Sequence, residues 1–155
     1  MNKEMQIIRE VNIQAENFYE DAVQIGDHAA YALTKAHRSQ LTGLENIAEG
    51  ALKVSDILDY IKRQTARFPY WRQSFPGEKP SDEAFGERLK NYLEKELTRK
   101  RDVICNAKML NIGDKTDEDK TLRRRIYLLL IRQFMRQMVA EYEYRVSFER
   151  DRKGA

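Results

Sequence analysis

Apolar residues recur every three or four positions over most of the chain, and this spacing constrains the fold more than any other feature. It places apolar side chains along one face of an α-helix. The three prolines all lie between residues 69 and 80, so residues 3–66 contain none, which favours long helices over many strands and turns. The sequence predicts an all-α fold, a single-domain antiparallel bundle of about four long helices over residues 1–155.

The first predicted helix covers residues 3–33. Alanine occupies every seventh position of its apolar stripe, at Ala15, Ala22 and Ala29, and such small residues let another helix approach closely. The opposite face of this helix is acidic. The first helix is therefore a candidate docking surface for another protein subunit or for a second copy of the chain.

Two further predicted helices cover residues 36–65 and 81–110. The second helix contains Gly43 and Gly50, each of which costs about 1 kcal/mol relative to alanine in a helix interior. Either glycine marks a kink or a close contact, and we interpret the segment as one helix. Gly113 is predicted to cap the C-terminus of the third helix.

Residues 67–80 form the main predicted loop, which we expect to be flexible, and residues 151–155 are predicted to form a short disordered tail. The loop holds the only tryptophan, and its aromatic residues alternate with Arg67 and Arg72. One interpretation is that these aromatic rings stack on nucleic-acid bases. The interpretation that we favour is that the loop covers one end of the bundle.

The composition excludes several classes of protein. The single cysteine, Cys105, cannot form an internal disulfide, and we expect a buried thiol in a reducing, cytoplasmic compartment. No apolar run approaches the roughly 20 residues of a membrane span, and the N-terminal residues do not resemble a signal peptide, so we expect no membrane partner.

Motifs that carry catalysis or hold metals are also missing. The two histidines, His28 and His37, lack the ligand spacing of a zinc or di-iron site, and we expect His28 at the surface or at a helix cap. The sequence contains no phosphate-binding glycine loop and no nucleophile motif. It therefore predicts a non-catalytic protein with no metal and no cofactor.

The fourth predicted helix carries six consecutive apolar residues, Ile126 to Ile131, among repeated arginines. At about 100° per residue, Arg125, Arg132 and Arg136 fall within about 40° of one another. Most of the remaining circumference is apolar. We therefore interpret these three arginines, here called the arginine seam, as the one strip of this helix that faces water.

The arginine seam has two interpretations. In the first, it is the solvated edge of a packed helix. In the second, it is a row of phosphate-binding residues, since guanidinium binds phosphate bidentately.

A second basic motif, Arg99, Lys100 and Arg101, interrupts the apolar stripe of the third helix. Either that helix leaves the bundle there or the fold requires a cation, and long basic side chains at a bundle edge are the structural alternative. We predict that this motif and the arginine seam bind nucleic acid.

Two stretches resemble the small helical subunit of type III-A CRISPR effector complexes: HRSQLTGLENI at residues 37–47 and LLLIRQFMRQMVAEYEYR at residues 128–145. The resemblance implies a repeated backbone subunit of a crRNA-guided complex in antiviral defence. Such a subunit has a basic face along crRNA or target RNA and no catalysis of its own. By position, the resemblance carries Arg38, Arg132 and Arg136 over as RNA-binding residues.

The string NIAEG, residues 46–50, resembles four-helix-bundle proteins inserted in ribosomal RNA genes. That group includes accessory subunits of diversity-generating reverse transcriptases. We therefore expect an RNA-binding helical subunit of a larger ribonucleoprotein assembly. The alternative is a bundle that only assembles with other proteins, without sequence-specific contact to RNA.

Overall fold

The computed structural model describes the backbone of residues 2–154 and the side chains of residues 2–148. Across these residues the protein is all-helical, as predicted. The one extended pairing in the described part of the chain is an isolated antiparallel bridge between Phe75 and Ser81. The predicted tail at residues 151–155 lies outside the residues whose side chains are described.

The helices follow one another along the chain, with longer connections before α5 and before α7. They are α1 (Lys3–Asn17), α2 (Tyr19–Leu33), α3 (Arg38–Gly50), α4 (Val54–Arg67), α5 (Phe85–Asn91), α6 (Thr98–Cys105) and α7 (Asp117–Gly154). A π-helical segment, Tyr92–Leu97, joins α5 to α6. Short 3-10 turns, Lys35–His37 and Pro69–Arg72, follow α2 and α4.

Helix α7 lies at the centre of the structure and packs against α1, α2, α3, α4 and α6. Its apolar residues cover most of its circumference, so neighbours are needed on several sides. Five of the six residues of the apolar run Ile126 to Ile131 are buried, all but Leu129, and Phe134 and Met138 are buried further along the helix. The prediction that the apolar run of the fourth segment is core is confirmed.

The first predicted helix is divided at Phe18, whose backbone angles of φ −98° and ψ 6° leave the regular α-helical range. The Phe18 ring is buried and meets Phe134 of α7 edge-on, with 5.7 Å between the ring centroids. This aromatic contact accompanies the break between α1 and α2.

The alanine face of the first segment packs inside the molecule, because Ala15, Ala22 and Ala29 are all buried and α2 lies against α7. The two backbones are closest at Gly26, where an added Cβ would lie 2.7 Å from the carbonyl oxygen of Met138. The prediction that this face can dock another chain is therefore wrong, since α7 already covers it.

The prediction of one helix over residues 36–65 is also wrong. Helix α3 ends at Gly50 and α4 begins at Val54, with extended backbone at Ala51 and Lys53. The other glycine of the segment, Gly43, marks a close contact between the two helices. An added Cβ there would lie 2.9 Å from the hydroxyl oxygen of Tyr60.

The third predicted helix is shorter than expected at its start. Ser81 cannot open it, because its backbone exchanges two hydrogen bonds with Phe75, of 2.9 and 3.0 Å. The helix begins at Phe85 instead.

The end of the third helix also differs from the prediction. It ends at Cys105, whose carbonyl oxygen accepts a hydrogen bond of 2.8 Å from the Ile112 N–H. Gly113 is not its C-cap, since the Gly113 N–H donates to the Asp119 carboxylate at 3.1 Å.

The segment predicted as a loop packs against other elements, since its 3-10 turn, Pro69–Arg72, contacts α2, α4 and α5. The Trp71 ring is fully buried, and its Nε1–H donates to Gln40 Oε1 at 2.7 Å. The Gln64 amide donates to the same oxygen at 3.1 Å. Tyr70 stacks on His37 with 3.7 Å between the ring centroids. These aromatic rings are therefore already in contact with protein groups.

His28 is a core residue that fixes this segment, and the expectation that it lies at the surface or at a cap is wrong. It is buried against Phe75 and Phe85. Its Nε2 lies 2.8 Å from the Gln73 carbonyl oxygen, and its Nδ1 lies 3.1 Å from the Arg88 guanidinium. Because a carbonyl can only accept and a guanidinium can only donate, this arrangement requires the neutral Nε2–H form.

We predict that acid weakens the fold through His28. Burial lowers the pKa of His28 below its ordinary value of 6.5, so the neutral ring is favoured by folding. Its contribution to the free energy of unfolding should be complete above pH 6.5 and should decline as the pH falls below that value. Urea unfolding measured between about pH 7.5 and 5.5 tests this.

The control is the other histidine. A His28→Gln variant should lose most of the decline over this pH range, whereas a His37→Gln variant should keep it. An unchanged decline in His28→Gln would show that other groups cause it.

Candidate nucleic-acid interface

Two arginines of the seam form ion pairs with other helices. Arg125 pairs with Glu4 of α1. Arg136 forms a bidentate pair with Glu49 of α3, with nitrogen–oxygen distances of 2.7 and 2.9 Å. This hydrogen bonding lowers the pKa of the Glu49 carboxyl. Both guanidiniums are about half exposed, but each already has an anionic partner.

Arg132, the third arginine of the seam, turns towards the end of α3. Its Nε donates to the Ala48 carbonyl oxygen and its Nη2 to the Ala51 carbonyl oxygen, both at 2.9 Å. The last carbonyls of a helix have no partner within the helix, and Arg132 supplies donors where α3 ends. The prediction that the seam is a strip facing water is therefore wrong at Arg132.

The other predicted nucleic-acid ligands are dispersed. Arg38 binds Glu143 of α7 at 2.9 Å. Arg99 is exposed and pairs with Glu96 one turn earlier, at 3.2 Å. Lys100 is half-buried. Glu143 lies seven residues after Arg136 on α7, so Arg38 lies on the side of α7 that carries the seam, whereas Arg99 and Lys100 belong to α6.

Four basic residues of α6 and the start of α7 do come together. They line a shallow cleft of about 290 Å³, here called the basic cleft, together with three other residues. The four basic residues are Arg101, Lys120, Arg123 and Arg124, and the others are Val54, Asp114 and Tyr127.

One carboxylate holds two of these guanidiniums in place. Asp102 accepts from Arg101 Nε at 3.1 Å and from Arg123 Nη2 at 2.5 Å. The Arg101 guanidinium also lies over the Tyr127 ring, 5.4 Å from its centroid, in a cation–π contact. This contact explains the charge in the apolar stripe of the third segment, because the fold uses a cation there.

The basic cleft keeps an excess of positive charge. Asp102 is shared by two arginines, and Asp114 is the one carboxylate among the residues that line the cleft. Lys120 and Arg124 are exposed, and neither has an ion-pair partner among the described side chains. Two positioned guanidiniums and two unpaired cations form an arrangement that can bind an anion such as phosphate.

Of the predicted site residues, only Arg101 lines the basic cleft. Lys120, Arg123 and Arg124 were not among the predicted site residues. A signal for them was present, because three arginines follow one another at residues 123–125. Only one of three consecutive residues can lie on a narrow seam of a helix, so the other two must face elsewhere.

Comparisons of the chain with protein-family models, with curated proteins and with solved structures gave no match. Among the described residues, no group of His, Cys, Asp and Glu is arranged to hold a metal ion. No helix in the part searched has both the length and the apolar character of a membrane span. Cys105 is buried, and burial raises the pKa of its thiol.

We predict that Arg132 contributes more to stability than Arg125. An Arg132→Gln variant loses two hydrogen bonds at the end of α3 and leaves two carbonyl groups without donors, which should cost about 1–3 kcal/mol. In an Arg125→Gln variant only a half-exposed ion pair is lost, so the cost should be below about 1 kcal/mol. Urea unfolding of the two variants at one pH measures the difference. Equal unfolding free energies would contradict the capping role of Arg132.

Proposed function

We propose that the protein is a non-catalytic antiparallel helical bundle that binds RNA phosphates at the basic cleft, as a cytoplasmic subunit of a ribonucleoprotein assembly. The observation that carries this proposal is the gathering of Arg101, Lys120, Arg123 and Arg124 around one cleft with too few carboxylates to neutralise them.

The geometry suits a phosphate group because half of the donors are held in position before a ligand arrives. Asp102 fixes Arg101 and Arg123, which lowers the conformational cost of binding. Lys120 and Arg124 remain exposed and can close on a phosphate backbone. Arginine also presents a planar fork that matches phosphate oxygens.

The choice of RNA rests on the resemblance of residues 37–47 and 128–145 to the small helical subunit of type III-A CRISPR effectors. That resemblance also supports a place in a larger assembly. The residues that it carries over, Arg38, Arg132 and Arg136, each have a partner within the chain. In our proposal they therefore hold α7 against α3 and its neighbours, and the basic cleft takes the role of RNA contact.

The alternative function is protein–protein assembly without RNA, as in an accessory bundle of a reverse transcriptase. One observation favours it: large apolar side chains are exposed on the outer side of α1, at Met5, Ile8 and Ile13. Both functions are compatible with one molecule, since the basic cleft is formed by other elements, chiefly α6 and the start of α7.

We predict that a Lys120→Gln/Arg124→Gln variant binds single-stranded RNA less tightly with its stability unchanged. Neither side chain has an ion-pair partner in the described structure, and glutamine is a good helix former. If both contact phosphates, the slope of log affinity against log salt should flatten by roughly 1.4, about 0.7 per contact. Fluorescence anisotropy of a labelled RNA at several salt concentrations measures the slope.

A matched variant, Lys62→Gln/Arg63→Gln, removes one lysine and one arginine from exposed positions of α4. It changes the net charge equally but leaves the basic cleft intact, so its salt slope should stay close to that of the unaltered chain. Equal losses in the two variants, or no RNA binding at about 0.15 M salt, would reject the basic cleft as the RNA site.

A further inference from the structure

Helix α1 exposes more apolar surface than its place on one side of the fold requires. The exposed fraction is 55% for Met5, 46% for Ile8 and 43% for Ile13. Together with Arg9, Asn12 and Glu16, these residues line a shallow groove of about 590 Å³, here called the α1 outer face. On a helical projection the six residues span about 140°. This face points away from the core, where Ile7 and Val11 are buried.

The α1 outer face has a symmetric order of residues about Asn12. Ile8 and Glu16 lie four residues before and after Asn12, while Met5 and Tyr19 lie seven residues before and after it. Tyr19, just beyond the end of α1, is half exposed. A face with this order can pair with itself in the antiparallel direction, because a twofold axis at Asn12 places each position opposite its counterpart.

The charges of the face are complementary under the same operation. Arg9 and Glu16 have no ion-pair partner among the described side chains, although Glu4 of the same helix pairs with Arg125. Arg9 and Glu16 project within about 20° of each other on the helix. Antiparallel pairing about Asn12 therefore brings Arg9 of each copy next to Glu16 of the other, on the same side of the helix pair.

We propose that the α1 outer face binds a second copy of this chain, with the two α1 helices antiparallel and Asn12 at the twofold axis. Met5 packs on Tyr19 of the second copy, and Ile8 lies within about 40° of Asn12 beside this contact, whereas Ile13 projects about 100° from Asn12 and lies at the edge of the face. Two Arg9–Glu16 ion pairs fix the register, and the Asn12 pair at the centre adds specificity at some cost in stability. The proposal does not depend on RNA binding.

The size of the contact indicates a weak dimer. A helix of 15 residues is about 22 Å long, and one pair of such helices buries less than the roughly 800 Å² per partner of a standard stable interface. The dimer should therefore depend on protein concentration and on salt.

The first test uses cysteine cross-linking of the full chain without RNA. In an Asn12→Cys variant two thiols meet at the axis, so mild oxidation should give several-fold more disulfide-linked dimer than in an Asn17→Cys variant. Asn17 is a matched control because it is an exposed asparagine of α1 that projects about 140° away from Asn12. The native Cys105 is buried and should not compete. Equal cross-linking in the two variants would overturn the proposal.

The second test reverses charges and measures association by sedimentation equilibrium at low salt. Arg9→Glu or Glu16→Arg alone should weaken the dimer by roughly tenfold or more. Each change replaces an ion pair between positions 9 and 16 with two like charges, and the twofold axis repeats that repulsion at a second, equivalent contact. The double variant Arg9→Glu/Glu16→Arg should restore it. Arg63→Glu, an equal charge change on α4, should have little effect.

Two results of the sedimentation experiment would overturn the proposal. If the double variant is as weak as the single variants, the antiparallel register is wrong. If the unaltered chain remains a monomer at all concentrations, the face belongs to a partner of different sequence. Circular dichroism of each variant checks that the helices are intact.

Discussion

The structure depends on one constraint, the coverage of a central helix that is apolar over most of its circumference. Helix α7 buries residues from Ile126 to Val146, and α1, α2, α3, α4 and α6 pack around it. Five of its arginines each reach a different group of this surrounding layer. These contacts are Arg123 with Asp102, Arg125 with Glu4, Arg132 with the end of α3, Arg136 with Glu49, and Arg145 with Asp27.

The two kinds of contact have different roles. Apolar burial supplies most of the stabilising free energy, at about 25 cal/mol per Å², whereas a half-exposed ion pair contributes about 1 kcal/mol or less. The arginines are therefore better understood as determinants of register. Each ion pair is available only when a neighbouring helix lies at the correct height along α7. Arg132 also stabilises the break at residues 51–53, where extended backbone separates α3 from α4.

The helical class and the burial of α7 could be predicted because both follow from local apolar periodicity. The breaks could not, because they depend on contacts between residues that are far apart in the sequence. Phe18 packs on Phe134 where the first segment is divided, and Arg132 stabilises the end of α3. Similarly, the alanine face was correctly recognised as a surface for close helix packing. Sequence periodicity alone does not indicate whether the packed helix belongs to the same chain.

The arginine seam was misjudged for the same reason, because the partners of its arginines lie far away in the sequence. Their angular alignment was visible in the sequence, but their partners Glu4 and Glu49 were not, so a row of paired cations looked like a row of free ones. Arg101 could be recognised as anomalous because it interrupts an apolar stripe, and Tyr127 provides the reason. The basic cleft required the packing of α6 beside the start of α7, which no local pattern specifies.

The central claim is that the Arg132 guanidinium donates to carbonyl oxygens at the end of α3 and is not free to bind RNA. Nuclear magnetic resonance of the Arg Nε–H groups tests it directly, with the Arg132 signal assigned by its loss in an Arg132→Lys variant. The Arg132 proton should exchange with water much more slowly than that of Arg124, because it donates to the Ala48 carbonyl. It should also stay unshifted when RNA is added. Exchange as fast as that of Arg124, together with a shift on addition of RNA, would contradict the account.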